Sequence, residues 1–329
     1  MSSTTAKTFL GCDWGTTSFR LRLIEGGSRR VLAEQVEPAG IRHFAGLAPA
    51  ERADRMAAYL AERIGQWTEV GPEVPFVMTG MASSTVGWRE LPYAEVPFQL
   101  DGGNAEVALL ALSTRGGRRR QGLLVSGVRT ADDIMRGEEC ALVGVQALDE
   151  RLTNASTPVL CLLAGTHPKH AQVCDGCLAS FRTYLTGELF EILSKDSILA
   201  ASVSRLEGDI EPIWDEFHAG VLCAKTLGLS AALFHVRTRH VLQSISPERN
   251  IWFLSGILVG DELSGIARNH RGTPLCLIGE PSRVSLYREA LKILAPARRD
   301  ENVREISLTT AIVAGQEQLL RRHTTLLNP

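Results

Sequence analysis

The sequence predicts an α/β protein of two lobes, residues 1–155 and 156–329, each with a mixed β-sheet and flanking helices. A chain of 329 residues exceeds what one hydrophobic core usually organises, which favours two lobes of roughly 150 residues. Strand and helix patterns alternate along the chain. A unit of strand, Gly-Thr turn and strand occurs twice, at Gly15-Thr16 and Gly165-Thr166, 150 positions apart (165 minus 15). This repetition indicates an internal duplication.

The first half opens on a buried strand, Phe9–Trp14, which contains a carboxylate near its end. The Gly15-Thr16 turn follows, and the alternation of polar and apolar residues after it predicts a second strand. The patterns that come next predict helix Ala50–Ile64, strands Val74–Met78 and Leu123–Val125, and helix Asp132–Arg151.

The second half repeats the opening and then alternates helices with strands. We predict strand Pro158–Ala164, extended chain over His170–Cys174, helices Ser180–Leu193 and Ile213–Leu229, strand Ile251–Gly256 running into a helix, strand Leu275–Gly279, helix Ser282–Leu294 with Ser282 as its N-cap, and helix Leu308–Leu320.

Composition limits the partners. The chain is 44% apolar and 22% charged with a formal net charge of −2, so it has no broad field for nucleic acid or an anionic membrane. Its apolar runs, such as Val159–Ala164, are shorter than the roughly 20 residues of a membrane span, and the N-terminus lacks a signal-peptide pattern. We expect a cytoplasmic protein with no nucleic-acid or membrane partner. The oligomeric state is open, and a homodimer is compatible with the sequence.

Seven cysteines, an odd number, argue against a disulfide framework. Cys174 and Cys177 form the one close pair, which leaves zinc or redox chemistry as an alternative. The Asp175-Gly176 dipeptide between them is a strong type I′ turn signal. We therefore favour a plain hairpin.

The first Gly-Thr turn is a candidate phosphate site. Its glycine leads into a strand, whereas Rossmann and P-loop glycines lead into a helix. Gly15 would let the backbone approach a phosphate, and the hydroxyls and amides of Thr16 and Thr17 could donate to it. Asp13 could hold Mg²⁺ directly or through water. The alternative is a hairpin in which Asp13 only satisfies local amides.

The second turn concentrates Gly165, Thr166, His167 and Lys169 in five residues. A glycine, a hydroxyl, an imidazole and an ammonium group suit a polyphosphate that gains charge contacts in a transition state. Alternatively, Pro168 shapes an ordinary surface turn.

Two further segments carry candidate side chains. Asp133, or its neighbour Asp132, could accept a proton from an alcohol, and Arg129 or Arg136 could pair with a carboxylate. Capping-box-like spacing from Thr130 leaves open that Asp133 only starts a helix.

Late in the chain, Ser255, Gly256 and Gly260 fall at a predicted strand-to-helix junction. Small residues there would let a nucleoside lie against the backbone. Close helix packing explains the two glycines equally well.

In this order the motifs resemble the sugar-kinase branch of the actin-like ATPase superfamily, and more narrowly the 2-dehydro-3-deoxygalactonokinase family. The resemblance spans nearly the whole chain. It is carried by Asp13-Trp-Gly-Thr-Thr17, Gly80-Met-Ala-Ser-Ser84, Gly87-Trp88, Pro92-Tyr93, Asp133-Ile-Met-Arg-Gly-Glu-Glu139, Gly165-Thr-His-Pro-Lys169, Phe181-Arg-Thr-Tyr-Leu-Thr-Gly-Glu-Leu189 and Ser255-Gly-Ile-Leu-Val-Gly-Asp-Glu262.

The resemblance implies two actin-like (ribonuclease H-like) lobes around a central cleft for ATP and substrate. It also implies that ATP, with Mg²⁺, phosphorylates the 6-hydroxyl of 2-dehydro-3-deoxy-D-galactonate, a small sugar acid of galactonate catabolism. The roles that it implies are Asp133 as general base, Asp13 for Mg²⁺, Gly15–Thr17 and Gly165–His167 with Lys169 for phosphates, Ser255, Gly256 and Gly260 for the nucleoside, and Ser83, Trp88 and Arg129 for the substrate.

Two rival interpretations stay open from sequence. One is the same fold acting on another keto-deoxy sugar acid or sugar. The other is a non-catalytic sugar-acid sensor, which would not need a carboxylate at position 133.

Overall fold

A computed structural model describes residues 7–113, 117–154, 156–204, 210–270, 272–296 and 303–327. The chain divides into two compact units. The first comprises Met1–Ser156, Gln172–Phe181 and Leu308–Pro329, and the second comprises Thr157–Ala171 and Arg182–Ser307. None of the helices within the described ranges has the length and apolar character that crossing a bilayer requires.

Strands and helices alternate through both units. The strands are β1 Thr8–Trp14, β2 Phe19–Glu25, β3 Arg30–Glu37, β4 Phe76–Gly80, β5 Ala94–Glu95, β6 Phe98–Gln99, β7 Val107–Ser113, β8 Arg119–Val125, β9 Val128–Arg129, β10 Ile134–Met135, β11 Val159–Leu163, β12 Lys169–Cys174, β13 Cys177–Thr183, β14 Leu275–Gly279 and β15 Val303–Ser307. The helices are α1 Pro49–Ile64, α2 Glu138–Leu148, α3 Glu150–Thr153, α4 Thr186–Lys195, α5 Trp214–Leu227, α6 Leu229–Gln243, α7 Pro247–Asn269, α8 Pro281–Leu294, α9 Leu308–Arg322 and α10 Thr324–Leu327.

The first unit is built on a six-stranded mixed sheet with the order β3-β2-β1-β4-β8-β7. Strand β1 pairs antiparallel with β2 and parallel with β4, and β4 pairs parallel with β8. The carboxyl ends of the parallel strands β1, β4 and β8 therefore meet at one edge of the sheet. A separate small sheet has the order β10-β9-β5, with β5 preceding β8 in the chain and β9 and β10 following it.

Helices α2 and α9 pack unusually closely within the first unit. A Cβ on Gly144 would lie 1.7 Å from the carbonyl oxygen of Ala311, and a Cβ on Gly315 would lie 1.9 Å from that of Cys140. Only glycine at both positions allows this approach. The C-terminal helix thereby becomes part of the first unit's core.

The second unit contains a parallel group of strands, in which β14 pairs with β11 on one side and β15 on the other. Its apolar core gathers around these strands and around α7, α5 and α8. With mixed sheets and flanking helices in both halves of the chain, the predicted α/β class is confirmed.

The hairpin predicted at Asp175-Gly176 is present. Asp175 (φ 50°) and Gly176 (φ 72°) both lie in the left-handed region, as a type I′ turn requires. All seven cysteines are free thiols, and no group of three or more His, Cys, Asp or Glu side chains in the described ranges forms a metal cluster. The zinc interpretation of Cys174 and Cys177 therefore has no support.

The prediction of a strand over Ile251–Gly256 was wrong. These residues lie inside the continuous helix α7, and every residue from Ile251 to Gly260 is buried. A helix enclosed on all sides shows no amphipathic period, so an apolar run of this kind cannot be distinguished from a buried strand.

Three other boundaries also differ from the prediction. The segment Ser180–Leu193 is not one helix, because β13 continues to Thr183 and α4 begins only at Thr186. Helix α2 begins at Glu138 instead of Asp132, since the β9–β10 hairpin takes up the residues before it. Ser282 does not cap α8, which begins at Pro281 with Glu280 at the N-cap position.

Candidate active site

The Gly15-Thr16 turn joins β1 to β2 in the first unit. Its closing hydrogen bond runs from the amide of Gly15 to the carbonyl oxygen of Ser18 (2.9 Å). Thr16 and Thr17 are exposed at the tip. The turn thus presents hydroxyls and amides to solvent, as phosphate binding requires.

A second segment of the chain, which contains Gly40 and Arg42, packs against this turn. The amide of Arg42 donates to the carbonyl oxygen of Thr16 (3.1 Å). A Cβ on Gly40 would lie 2.4 Å from that oxygen and equally close to the backbone of Thr17. The close approach explains why a glycine stands at position 40.

Asp13 lies at the carboxyl end of β1, with Oδ2 3.6 Å from Nη1 of Arg20. Burial raises the pKa of Asp13, while Arg20 and Arg22 oppose the rise and Glu138 adds to it. Gly80 (φ 86°), at the end of β4, comes so close that a Cβ there would lie 3.3 Å from Oδ1 of Asp13. A partly desolvated carboxylate at a strand end suits a water-mediated contact to Mg²⁺.

Two residues predicted to contact substrate follow β4. Ser83 is fully buried, and its hydroxyl accepts from Nη1 of Arg136 (2.6 Å). Trp88 is half-buried and packs partly on the core of the first unit. Ser83 therefore lies beneath an arginine and not on an open surface.

Asp133 lies in the tight turn of the β9–β10 hairpin. The amide of Thr130 donates to the carbonyl oxygen of Asp133, and the amide of Asp133 donates to Oγ1 of Thr130 (both 2.9 Å). Oδ1 of Asp133 accepts from the amide of Ile134 (2.7 Å). Because α2 begins only at Glu138, the alternative that Asp133 starts this helix was wrong. Asp132 is exposed on the same turn.

Arg129, predicted to bind substrate, forms an ion pair with Glu95 on the neighbouring short strand β5. The side chains of Arg129 and Glu95 are 52% and 68% exposed. An exposed pair of this kind contributes little stability. The structure thus gives Arg129 an anionic partner of its own.

Arg136, the other arginine that the sequence offers to a carboxylate, occupies a more enclosed position than Arg129. Its Nη1 donates to the carbonyl oxygen and hydroxyl of Ser83 (both 2.6 Å) and lies 3.3 Å from Oγ of Ser126. Its guanidinium carbon lies 4.1 Å from the ring centroid of Tyr93. The side chain is therefore held in one orientation by neutral groups.

Two glutamates begin helix α2. Glu138 accepts from the amide of Arg136 (3.0 Å), and Glu139 accepts from the amide of Gly137 (2.6 Å). Glu139 is 1% exposed, and its Oε1 has no hydrogen-bond partner among the described residues. Burial, and secondarily Glu138, raises the pKa of Glu139 to about 8.

The Gly165-Thr166 turn of the second unit is also supported by a separate segment. The amide of Glu188 donates to the carbonyl oxygen of Thr166 (3.1 Å). A Cβ on Gly187 would lie 2.7 Å from Cα of Thr166 and 2.8 Å from the carbonyl oxygen of Gly165. Nε2 of His167 lies 2.5 Å from Oε2 of Glu188, which fixes the exposed imidazole against the first turn of α4.

Lys169 does not extend into solvent. Its side chain is buried, and Nζ donates to the carbonyl oxygen of His167 (2.7 Å). The predicted phosphate-binding ammonium group is therefore used, in this conformation, to shape the turn.

Glu262 of α7 connects three elements around the second turn. It lies 2.9 Å from Nε2 of His170 on β12, accepts from the hydroxyl of Tyr287 on α8 (2.7 and 2.8 Å), and accepts from Thr186 at the start of α4. The side chain is 1% exposed. A buried carboxylate with this many donors is well satisfied and fixes the elements that bear them.

The predicted nucleoside residues lie within α7. A Cβ on Gly256 would lie 2.0 Å from the carbonyl oxygen of Phe217, and one on Gly260 would lie 2.9 Å from Cα of Val221, both on α5. Ser255 is buried on the same helix. Close packing of α5 on α7 accounts for both glycines, and the nucleoside role stays a prediction.

Sequence reasoning missed the residues that act through distant contacts. The residues around Gly40 form no recognisable motif. Glu262 ends the motif Ser255–Glu262, but its sequence position indicates no role for it. Arg136 was a candidate from sequence, but the pattern of residues 133–139 does not show that Arg136 is half-buried or that Glu139 is buried.

Comparison with known proteins assigns the family. The family model for 2-keto-3-deoxy-galactonokinase matches residues 13–315. A 2-dehydro-3-deoxygalactonokinase from Escherichia coli is 29% identical over 294 residues, covering 87% of this chain and 90% of that protein. A protein from Rhizobium meliloti, named as a probable 2-dehydro-3-deoxygalactonokinase, is 31% identical over 328 residues, covering 95% of this chain and 96% of that protein.

A solved structure agrees with this result. The crystal structure of a candidate 2-dehydro-3-deoxygalactonokinase from Sinorhizobium meliloti superposes with a TM-score of 0.74 at 27% identity, covering 98% of this chain and 100% of that chain. The family match spans nearly the whole chain and includes the turns described above. The chain therefore belongs to the 2-keto-3-deoxy-galactonokinase family and is an ATP-dependent carbohydrate kinase.

Proposed function

We propose that this enzyme transfers the γ-phosphoryl group of ATP to the 6-hydroxyl of 2-dehydro-3-deoxy-D-galactonate in galactonate catabolism. The products are 2-dehydro-3-deoxy-6-phospho-D-galactonate and ADP. The observation that carries the proposal is the family match over residues 13–315. A small anionic substrate and ATP are both cytoplasmic metabolites, so we also propose a cytoplasmic location.

The nucleotide would be held by residues from both halves of the sequence. In Gly15–Thr17 and Gly165–His167, the exposed threonines and His167 would donate to phosphate oxygens, and the two glycines would let a phosphate approach the backbone. Lys169 would support the second turn from its buried position. Ser255, Gly256 and Gly260 are proposed to contact the nucleoside.

We also propose that the two lobes, residues 1–155 and 156–329, arose by duplication. The repeated Gly-Thr turn supports this proposal.

Asp13 is the residue proposed to hold Mg²⁺. A partly buried carboxylate beside a glycine backbone fits an ion that keeps several waters and binds through one or two carboxylates plus substrate phosphates. When bound, Mg²⁺ would neutralise charge on the phosphates.

Asp133 is proposed as the general base. It would accept the proton of the 6-hydroxyl as that oxygen forms its bond to the γ-phosphorus and ADP leaves. Its carboxylate is held on the hairpin turn by the amide of Ile134. Ser83, Trp88 and Arg129 are the substrate contacts proposed from sequence.

A screen of ATP consumption tests the proposal. The purified protein is incubated with ATP, Mg²⁺ and a panel of keto-deoxy sugar acids, other sugar acids and neutral sugars, and the phosphate position in each product is determined by NMR. We expect the highest kcat/KM for 2-dehydro-3-deoxy-D-galactonate, with phosphate at position 6. A preference for a neutral sugar, or phosphate at another hydroxyl, would refute it.

A further inference from the structure

Arg136 carries a positive charge that no carboxylate of the described residues neutralises through an ion pair. The two nearest glutamates in sequence, Glu138 and Glu139, accept from backbone amides of residues 136 and 137. Among the described residues, the side chains that the guanidinium group contacts are neutral: Ser83, Ser126 and Tyr93. The charge of Arg136 opposes the rise in the pKa of Glu139, but no contact joins the two side chains as an ion pair among the described residues. A half-buried cation that forms no ion pair is costly to desolvate, and an incoming anion would relieve that cost.

One edge of this guanidinium group is left available. Nη1 is saturated by acceptors, and Nε makes only a long contact of 3.4 Å to the hydroxyl of Tyr93. Nη2 has no hydrogen-bond partner among the described residues, and it is not fully buried. Nη2 is therefore accessible to solvent. The Nη2–Nε edge has the fork geometry that binds a carboxylate in bidentate fashion.

We propose that Arg136 binds the carboxylate of the sugar-acid substrate through Nη2 and Nε, with Ser83, Ser126 and the ring of Tyr93 holding the guanidinium group in place. This inference rests on the proposed function and names the residue that selects an acid over a neutral sugar. Ser83 would then act on the substrate only through Arg136.

The comparison with Arg129 supports this assignment. Arg129 is the more exposed arginine and already pairs with Glu95, so a substrate carboxylate would have to compete with that glutamate. Arg136 forms no ion pair with a carboxylate of the described residues, and contacts to Ser83 and Tyr93 fix its orientation before substrate arrives. Preorganised charge binds an anion with less loss of side-chain entropy.

The test measures discrimination between the acid and its uncharged C1 amide. Steady-state kcat and KM are determined for both compounds with wild type, Arg136→Gln, Arg136→Lys and Arg129→Gln. The exposed Arg55, 68% accessible on α1, supplies Arg55→Gln as the matched control for loss of one surface charge. For Arg136→Gln we expect KM for the acid to rise about 30-fold or more, with KM for the amide changed less than about twofold.

Several outcomes decide between the alternatives. Arg136→Lys should recover part of the discrimination, because it keeps the charge and loses the fork, and it decides the question if Arg136→Gln does not fold. An equal loss for acid and amide would make Arg136 merely structural, and an acid-specific loss in Arg129→Gln alone would transfer the role to that residue. Either result overturns the inference while leaving the proposed function intact. A wild-type enzyme that phosphorylates neutral sugars and no acid would overturn both.

Discussion

The two Gly-Thr turns, one from each half of the sequence, are supported in the same way. In both, the threonine carbonyl oxygen accepts an amide hydrogen bond of 3.1 Å from a separate segment, from Arg42 to Thr16 and from Glu188 to Thr166. In both, the residue one or two positions before that donor is a glycine packed against the turn. The support is made by backbone atoms, so it can be kept while side chains diverge.

The side chains around the two turns differ strongly. Asp13 precedes the first turn, whereas the buried Leu163 stands at the same offset before the second. The second turn has His167 bound to Glu188 and a buried Lys169 instead. On the proposed function, both turns hold phosphate oxygens and can share a backbone design, whereas a single phosphoryl transfer needs only one metal-binding carboxylate and one general base.

If the first half of the sequence alone supplies the general base, Asp133→Asn should cause the largest loss of activity. We expect kcat to fall by about 10²–10⁴-fold, because an amide cannot accept the hydroxyl proton. The affinity for ATP, measured by calorimetry, should be unchanged. Asp132→Asn is the matched control on the same hairpin and should keep near-wild-type kcat. If the losses are reversed, Asp132 is the base.

A carboxylate, Asp13, precedes the first turn, whereas Leu163 precedes the second. We therefore predict that Mg²⁺ binding depends on Asp13 at the first turn. Asp13→Asn should raise the Mg²⁺ concentration for half-maximal activity by about 10–100-fold, as expected for a residue that orients metal-bound water. The measurement is a Mg²⁺ titration at saturating ATP and substrate. Asp101→Asn, at an exposed ion pair with Arg322, serves as the control. An unchanged Mg²⁺ midpoint would remove Asp13 from the metal site.

The shared support of the two turns predicts equal sensitivity to a single methyl group. Gly40→Ala and Gly187→Ala place a Cβ 2.4 and 2.7 Å from turn backbone, so each turn must shift. We expect KM for ATP to rise about 10-fold in each variant, since small displacements of positioning groups are costly.

Open glycines provide controls for both variants. Within the described ranges, a Cβ added to Gly46 or Gly265 would meet nothing within 4 Å, and neither glycine has a left-handed backbone, so their alanine variants should leave KM for ATP unchanged. A rise in Gly40→Ala without one in Gly187→Ala would mean that only the first turn contacts ATP. Such a result would contradict the proposal that both turns bind the phosphates of ATP.

Local patterns predicted the parts of this fold that short segments determine. The period of two after Gly15 predicted β2, and Asp175-Gly176 predicted a type I′ turn because both residues tolerate positive φ. The apolar run from Ile251 failed, since burial on all sides removes the period that separates helix from strand.

The candidate site was predictable as motifs but not as contacts. The turns at Gly15 and Gly165 could be found from the repeat, whereas the glycine that supports the first, Gly40, lies 25 positions from it (40 minus 15) in an unremarkable loop. The choice between Arg129 and Arg136 depends on which guanidinium group already forms an ion pair with a carboxylate. That is a property of tertiary packing, and spacing along the chain does not encode it.

Two buried glutamates extend the comparison between the halves. Glu262 accepts from three side chains, whereas one oxygen of Glu139 has no partner among the described residues and burial raises the pKa of Glu139 to about 8. The folded state therefore keeps a proton on Glu139 that the unfolded chain releases near the ordinary value of 4.5. Because the unfolded state binds fewer protons in this range, this group makes the free energy of unfolding fall as pH rises from about 4.5 to about 8.

Glu139→Gln should remove that contribution, since glutamine does not titrate. We expect the free energy of unfolding of the variant, relative to wild type, to increase with pH by at most about 1.4 kcal/mol per unit. Urea unfolding at pH 5.5, 6.5 and 7.5 measures this difference, with the exposed Asp54→Asn as control. Parallel curves for variant and wild type would show that Glu139 is ionised in the folded protein, and that the first half satisfies its buried carboxylate as fully as the second.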